Sequence, residues 1–167
     1  LTRQYADVIA DLDTILLDTR KTIPVYRHLA KYATRMGGAT NHRMALDDGV
    51  LIKDNHVAVS GGISEAIKRA QAAKLPNIEV ECDTLDQVKE AIEAGADMIL
   101  FDNMSSETMV EAVAIVAGQV PTEASGDVNL ETIRAKAETG VTHISVGRLT
   151  HSAPAVNIGL DWSAQTS

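Results

Sequence analysis

Six short apolar runs, each ending in a polar residue or a glycine, alternate with helix-patterned stretches along this chain, and few folds accept that pattern. The runs fall at 14–18, 50–53, 77–82, 97–102, 120–125 and 142–146. Helical periodicity occupies 25–36, 62–74, 84–94, 105–117 and 128–139, and a further helix is expected from Leu1 to Ile9. Start and stop signals agree with this division. Thr84 and Gln87 have the capping-box spacing, Asp127 or Asn129 can open the helix near 128, and Gly95 and Gly140 stand where helices should end. Repeated β-α units with short connections imply parallel strands and right-handed crossovers.

The ends of the runs choose between two such architectures. An open doubly wound sheet gathers only the strand ends at its switch point, whereas a barrel brings all of them to one face. Asp18, Lys53, Glu81, Asp102, Ser125–Gly126 and Gly147 close the six runs, which favours the barrel. No dinucleotide-type glycine turn follows the first run, and no Walker loop occurs. A complete barrel needs eight strands. The expected fold class is therefore α/β, an incomplete parallel β/α barrel of about six strands. It forms one domain over 1–167, expected to be truncated at the N-terminus because the chain starts without Met inside a helical pattern.

Composition narrows the function. Aromatic residues make up only 3%, so the core must be built from aliphatic side chains, as suits strands under helices. The net charge of −8 is unevenly spread: residues 1–69 sum to +2 and residues 70–167 to −10. General nucleic-acid binding needs a net basic surface and is not expected. A local cationic pocket is compatible with this balance. The lone Cys82, read as a small buried strand residue, rules out a disulfide framework and fits a reducing compartment. No leader-like segment and no apolar run of the roughly 18 residues that span a bilayer occurs, so a cytoplasmic protein without a membrane partner is expected.

Cations and acids cluster at the run ends. Asp18-Thr19-Arg20-Lys21-Thr22 follows the first run, Asn41-His42-Arg43 lies in the next loop, and Lys53-Asp54-Asn55-His56 follows the second run. Arg20, Lys21, Arg43 and Lys53 so placed suit a substrate with several negative charges, although each alone also suits a solvated surface. Glu79 and Glu81 share one strand face, which in a barrel is the interior, while Ile78, Val80 and Cys82 face the helices. Inward carboxylates need partners, and Lys53, a metal ion, or both qualify. Glu81 with Asp102 could hold Mg²⁺ through oxygen ligands. Ser125, Gly126 and Gly147 stand where late-strand loops cradle a phosphate, with helix N-termini behind them, or where ordinary turns need positive φ. Of the other histidines, His56 sits in a polar segment, His28 is expected on a helix surface, His143 in a structural strand position and His151 at the rim. No zinc spacing and no nucleophile elbow is present.

The strings LLDTRKT, GGATNHRMALDDGVLIKDNH, IEVECDTL, ILFDN, EASGDV and ISVGRLTHS occur in the order seen in the quinolinate phosphoribosyltransferases, and the chain resembles that family over nearly its whole length. The resemblance implies a catalytic incomplete α/β barrel, normally preceded by an N-terminal sandwich domain that is expected to be absent here. It implies transfer of phosphoribosyl from phosphoribosyl pyrophosphate (PRPP) to quinolinate with Mg²⁺, giving nicotinate mononucleotide, pyrophosphate and CO₂ in NAD biosynthesis, by a homodimer. On the same basis Lys53, Glu81 and Asp102 are catalytic, and Glu81 and Asp102 hold the metal. Thr19, Arg20, Lys21, His42, Arg43, Lys53, Ser125, Gly126, Asp127, Gly147 and Arg148 bind substrate. Arg20, His42, Arg43 and Lys53 would take the dicarboxylate, Lys21 the PRPP phosphates, and Ser125, Gly126 and Gly147 the 5′-phosphate.

Three positions depart from the family pattern. Val25 and Asp127 stand where glycine, or for Asp127 glycine or asparagine, is usual, and Arg148 replaces a small residue. Without the N-terminal domain, which lends an Arg to the neighbouring subunit's pocket, the resemblance implies weak or no activity for the chain alone. Two other readings are a phosphoribosyltransferase for another pyridine carboxylate, and an inactive barrel with a structural or assembly role.

Overall fold

The structure, a computed structural model, describes residues 1–162. All six expected strands form: β1 (Ile15–Leu17), β2 (Val50–Ile52), β3 (Ile78–Cys82), β4 (Met98–Asp102), β5 (Thr122–Ser125) and β6 (His143–Ser145). They make one sheet in the order β1-β6-β5-β4-β3-β2, parallel throughout. Every pairing joins neighbours in a barrel, and only the β1–β2 pair is missing.

The sheet curls. In a flat sheet β1 and β3 would lie four strand spacings apart, about 19 Å. One residue, His42, nevertheless reaches both: its backbone N–H donates to Asp18 beside β1 at 2.9 Å, and its ring nitrogen Nε2 lies 3.3 Å from Glu79 on β3. The gap between β1 and β2 is crossed by residues 41–49. That segment starts from a parallel bridge between Leu17 and Thr40 and ends at Val50.

The outward strand face carries Val80, Cys82, Ile99, Phe101, Ala124 and Ile144, all fully buried. Against it pack α4 (Ile63–Ala72), α5 (Leu85–Glu93), α6 (Ser106–Val116) and α7 (Ile133–Ala137), through Ile63, Ile67, Val88, Ala91, Met109, Ala112 and Ile133. Leu16 and the first two helices, α1 (Thr2–Val8) and α2 (Arg27–Met36), finish the shell around β1. Mostly aliphatic side chains, with Phe101 and Tyr5 as the buried aromatics, fill this core, as the composition requires. The expected capping box forms at α5, where Thr84 and Gln87 exchange bonds of 3.3 and 3.0 Å.

Two expectations change. The helix expected over 128–139 shrinks to Ile133–Ala137, because the Asn129 side chain accepts the Glu131 and Thr132 N–H groups at 2.8 and 3.0 Å and holds a turn in front of it. Two short helices also appear where none was expected, α3 (Asp54–Ser60) and α8 (Arg148–His151). With seven and four residues they are too short to show an amphipathic period.

The turn before α2 explains one departure from the family pattern. Tyr26 N–H donates to Ile23 O at 3.1 Å, Pro24 occupies the second position, and Val25 the third at φ 71°. This is a type II turn, whose third position suits glycine. A β-branched residue there is strained by about 1–2 kcal/mol. Val25 is 99% exposed, so nothing in packing offsets the strain. Val25→Gly should therefore stabilise the protein by about 1 kcal/mol after the entropy of the freer unfolded chain is subtracted. Thermal unfolding should show a rise of about 2–4 °C.

Cys82 is fully buried on the outward face, and burial foremost, with the nearby Asp83, Glu90 and Glu81 charges, pushes its thiol up to about 12. The native protein should resist alkylation at pH 8 and react fully once unfolded in urea, which a thiol titration will register.

Candidate active site

The inward face has a different chemistry. Strand register places Glu81 beside Leu100, Leu100 beside Glu123, Glu123 beside His143 and Asp102 beside Ser125, so acids and polar groups share the interior with a few aliphatics such as Leu100. At the C-terminal ends of the strands this face opens into a cleft of about 500 Å³. Thr19, Arg20 and Lys21 enter it after β1, His42 and Arg43 from the segment that crosses the gap, and Lys53 after β2. Glu81, Asp102, Ser125, Gly126 and Asp127 line the rest. Gly147 and Arg148 follow β6 and border an adjoining recess of about 440 Å³, which shares Thr19, Lys21, Ser125, Gly126 and Asp127 with the cleft. The residues singled out from six distant stretches of sequence thus meet at one mouth.

A buried carboxylate aligns the cationic side. Asp18 is fully buried and accepts from the Lys31 ammonium, from Thr34 Oγ1 at 2.8 Å, from Asn41 Nδ2 at 2.6 Å and from the His42 backbone N–H at 2.9 Å. It thereby ties the end of β1, where Arg20 and Lys21 emerge, to the loop carrying His42 and Arg43. The β1 loop is fixed on its other flank by Thr150, whose hydroxyl donates to Lys21 O at 2.7 Å and lies 3.3 Å from the Thr19 hydroxyl.

Three cations in the cleft have no counter-charge. Among the described residues Arg20, Lys21 and Arg43 enter no ion pair. Arg20 Nε is buried without a partner, and the Arg43 guanidinium is anchored through a 2.8 Å bond from Nη1 to Gly49 O. Burial foremost, and then the neighbouring Arg20 charge, lowers the Arg43 pKa. Two guanidinium groups held near each other without an acid between them describe an anion site.

The acidic side is built differently from the expectation for Glu79. Lys53, 43% exposed, pairs with Glu81 and not with Glu79. Glu79 turns instead to His42 Nε2 at 3.3 Å, and Glu123 approaches the same atom at 3.1 Å. Asp102 Oδ2 accepts from the Asn103 side chain at 2.9 Å, which leaves its other oxygen uncommitted. Glu81 and Asp102 are hard oxygen donors on the wall of an open cleft, few enough to leave room for water and phosphate oxygens. They fit Mg²⁺, which keeps several such ligands.

The phosphate-cradle residues are only partly as expected. Gly126 is at φ 87°, and a Cβ there would lie 2.0 Å from Asn103 Oδ1 and 2.9 Å from the Asn103 backbone nitrogen, so no other residue fits. Gly147 has an ordinary φ of −63°; a Cβ there would press on His151 at 3.0 Å. The expected helix dipoles do not stand behind these glycines, because α7 begins only at Ile133 and α8 is a single turn. Positive charge at this recess comes from Lys21 and Arg148. Asp127, at φ 48°, lies at the same mouth, and burial lowers the pKa of Lys136 behind it while the Asp127 and Asp102 charges oppose that shift.

Of the remaining histidines, His28 is exposed on α2, His56 accepts the Lys53 backbone N–H at 2.9 Å, His143 opens β6, and His151 borders the recess. Asn103, Glu123 and Ser145 also line the cleft and were not singled out from sequence, and Asp18, noted only as the acid that closes the first run, aligns it from beneath.

The chain matches the family described as quinolinate phosphoribosyl transferase, C-terminal domain, over residues 1–161. It belongs to that family. It is 46% identical over 163 residues to the probable nicotinate-nucleotide pyrophosphorylase (carboxylating) of Bacillus subtilis, which covers 96% of this chain and 56% of that protein. With quinolinate phosphoribosyltransferase (decarboxylating) 2, mitochondrial, of Nicotiana glauca it shares 39% identity over 180 residues, 96% of this chain and 51% of the relative. The solved nicotinate-nucleotide pyrophosphorylase of Francisella tularensis superposes with a TM-score of 0.85 at 45% identity, over 89% of this chain and 54% of that one. The chain spans about half the length of the curated relatives it matches. Among the described residues, no helix is long and apolar enough to cross a membrane.

The Asp18 network gives a stability prediction. Asp18→Asn leaves the Lys31 ammonium, 0% exposed, without a counter-charge. Breaking one side of a buried pair costs about 3–5 kcal/mol. Urea unfolding should show a loss of that order, and the double variant Asp18→Asn with Lys31→Met should recover much of it.

Proposed function

We propose that this chain forms the phosphoribosyl-transfer site of a cytoplasmic, homodimeric enzyme that condenses quinolinate with PRPP, using Mg²⁺, and releases nicotinate mononucleotide, pyrophosphate and CO₂. The observation that carries the reading is the set of unpaired cations, Arg20, Lys21 and Arg43, facing Glu81 and Asp102 across one cleft. The names of the relatives support it, since they include quinolinate phosphoribosyltransferase and nicotinate-nucleotide pyrophosphorylase.

In this reading Arg20 and Arg43 grip the two carboxylates of quinolinate and aim the pyridine nitrogen at the anomeric carbon of PRPP. The nitrogen lone pair forms the new C–N bond as the bond to pyrophosphate breaks. Positive charge grows on the sugar, and the Glu81 and Asp102 carboxylates lie on the side that stabilises it. Lys53 pairs with Glu81 and holds it in place. Lys21 meets the departing phosphates, and Ser125, Gly126, Gly147 and Arg148 hold the 5′-phosphate. Bound Mg²⁺ would neutralise charge building on the pyrophosphate oxygens, held by Glu81 and Asp102. The electron pair of the breaking C–CO₂ bond stays on the ring carbon, where the adjacent nitrogen, now quaternary and positive, stabilises it. CO₂ leaves, and the vacated ring carbon takes a proton from water. No nucleophilic side chain is needed.

Calorimetry should find quinolinate bound at least about tenfold more tightly than nicotinate, because a second carboxylate meets a second guanidinium. Equal affinities would favour a monocarboxylate substrate and sink the proposal. Arg43→Ala should erase the preference between the two ligands.

In a product assay with PRPP, chelation of Mg²⁺ should stop nicotinate mononucleotide formation and leave quinolinate binding intact. Glu81→Gln should lower kcat by about 10² with little change in quinolinate affinity, the pattern of a group that acts on the developing sugar cation.

A further inference from the structure

Beneath the cationic cleft lies a cluster that the proposed chemistry leaves unused. Glu79 and Glu123 project from β3 and β5 into the barrel interior, with side chains 7% and 1% exposed. Their Oε2 atoms lie 3.3 and 3.1 Å from the same atom, His42 Nε2. Glu79 Oε1 and both Glu123 oxygens have no aligned donor, so one N–H is shared between two acceptors and points squarely at neither. Among the described residues this is the one group of three side chains whose potential metal-ligating atoms all lie within 4.8 Å of one another.

The other ring nitrogen decides what the cluster is. His42 Nδ1 accepts the backbone N–H of Arg43 at 2.8 Å. An atom that accepts carries no proton, so the ring proton is on Nε2. A histidine bound to a metal through Nε2 carries its proton on Nδ1 and donates from there. Here that atom already receives an N–H, so a metal centre does not fit. Full protonation of the ring does not fit either, since two N–H groups would then face each other across 2.8 Å. The two carboxylates, taken as ionised, would outweigh burial and draw the ring's pKa up to about 10. With the second ring position closed by the Arg43 N–H, that attraction instead holds the single ring proton on Nε2, between the two carboxylates.

We propose that Glu79 and Glu123 are positioning residues that hold the His42 proton on Nε2, so that the Nδ1 lone pair fixes the Arg43 backbone and, through it, the guanidinium at the cleft. Arg43 is then held at two points, its N–H by the ring and its Nη1 by Gly49 O. With Nδ1 protonated, the first hold becomes a repulsion and the peptide between His42 and Arg43 must turn. The effect on binding rests on the quinolinate reading, but the position of the ring proton does not.

Nitrogen-15 NMR of His-labelled protein, assigned with His42→Gln, tests the first step directly. A bare Nδ1 and a protonated Nε2 are expected; a protonated Nδ1 in the wild type overturns the proposal. Adding Zn²⁺ should leave both signals unchanged, and loss of the Nε2 proton with metal bound would overturn it in favour of a metal centre. The second step compares Glu79→Gln/Glu123→Gln, whose amide oxygens still accept, with Glu79→Leu/Glu123→Leu, which removes both acceptors. The glutamine pair should keep the tautomer and bind quinolinate near the wild-type affinity. The leucine pair should lose the tautomer and bind at least about tenfold more weakly. Wild-type affinity with a changed tautomer would break the link to Arg43. If the wild type itself binds no quinolinate, the substrate reading fails while the NMR result still judges the ring. The wild-type spectrum also decides should the leucine pair not fold.

Discussion

The buried Asp18 carboxylate is the point from which the binding face of this protein is built. A charge fully removed from water is tolerated only when its oxygens are saturated, and here four donors from two separate stretches of chain converge on it. Lys31 and Thr34 come from α2, Asn41 and His42 from the segment crossing the open side of the barrel. The geometry that satisfies Asp18 is therefore the geometry that brings Arg20 and Lys21, two and three residues on, alongside His42 and Arg43. Charge saturation in the interior and cation placement at the mouth are one arrangement.

An incomplete barrel makes this arrangement necessary. The closing β1–β2 ladder is absent, so backbone hydrogen bonds cannot hold the two edges together. A single bridge, Leu17 to Thr40, with Asp18 N–H donating to Thr40 O at 3.2 Å and Thr40 N–H to Leu16 O at 2.8 Å, starts the crossing. Side chains do the rest. His42 reaches the Glu79 and Glu123 pair on the far wall, and Arg43 reaches Gly49. The residues that span the gap are the same ones that face the ligand cleft.

The strands were legible in the sequence because their signal is local: an apolar run, a period of two, and a polar stop. All six formed within a residue or two of their expected limits, and the polar stops did converge. Inward orientation of Glu79 and Glu81 followed from the same period. Their partners did not, because partner choice depends on curvature and register that no short window contains. Lys53 went to Glu81 alone, and Glu79 found a residue 37 positions away in the chain. Asp18 was visible only as an acid beside two cations; its burial depends on α2 packing over β1. The short helices α3 and α8 lack the length for a period, and Asn129, whose residue type suits a helix start, acts as a turn former. The departures at Val25 and Asp127 became intelligible only with the backbone, since both sit at positive φ, which glycine adopts freely, aspartate tolerates and a β-branched valine adopts only with strain.

The electrostatics follow from this division of labour. A chain of net charge −8 cannot attract polyanions through its overall field, and the excess acid lies in the C-terminal part of the sequence. Anion binding must come from short range, where desolvated guanidinium groups act in a low dielectric. Arg20 and Arg43 meet that condition: one is partly buried with an orphaned Nε, and the other is fixed through its backbone and a single carbonyl. The acids on the opposite wall are kept from neutralising them by prior engagement, Glu81 with Lys53 and Glu79 and Glu123 with His42. Each internal pairing thus leaves the cleft cations free, and the charge separation across the mouth is maintained by the fold.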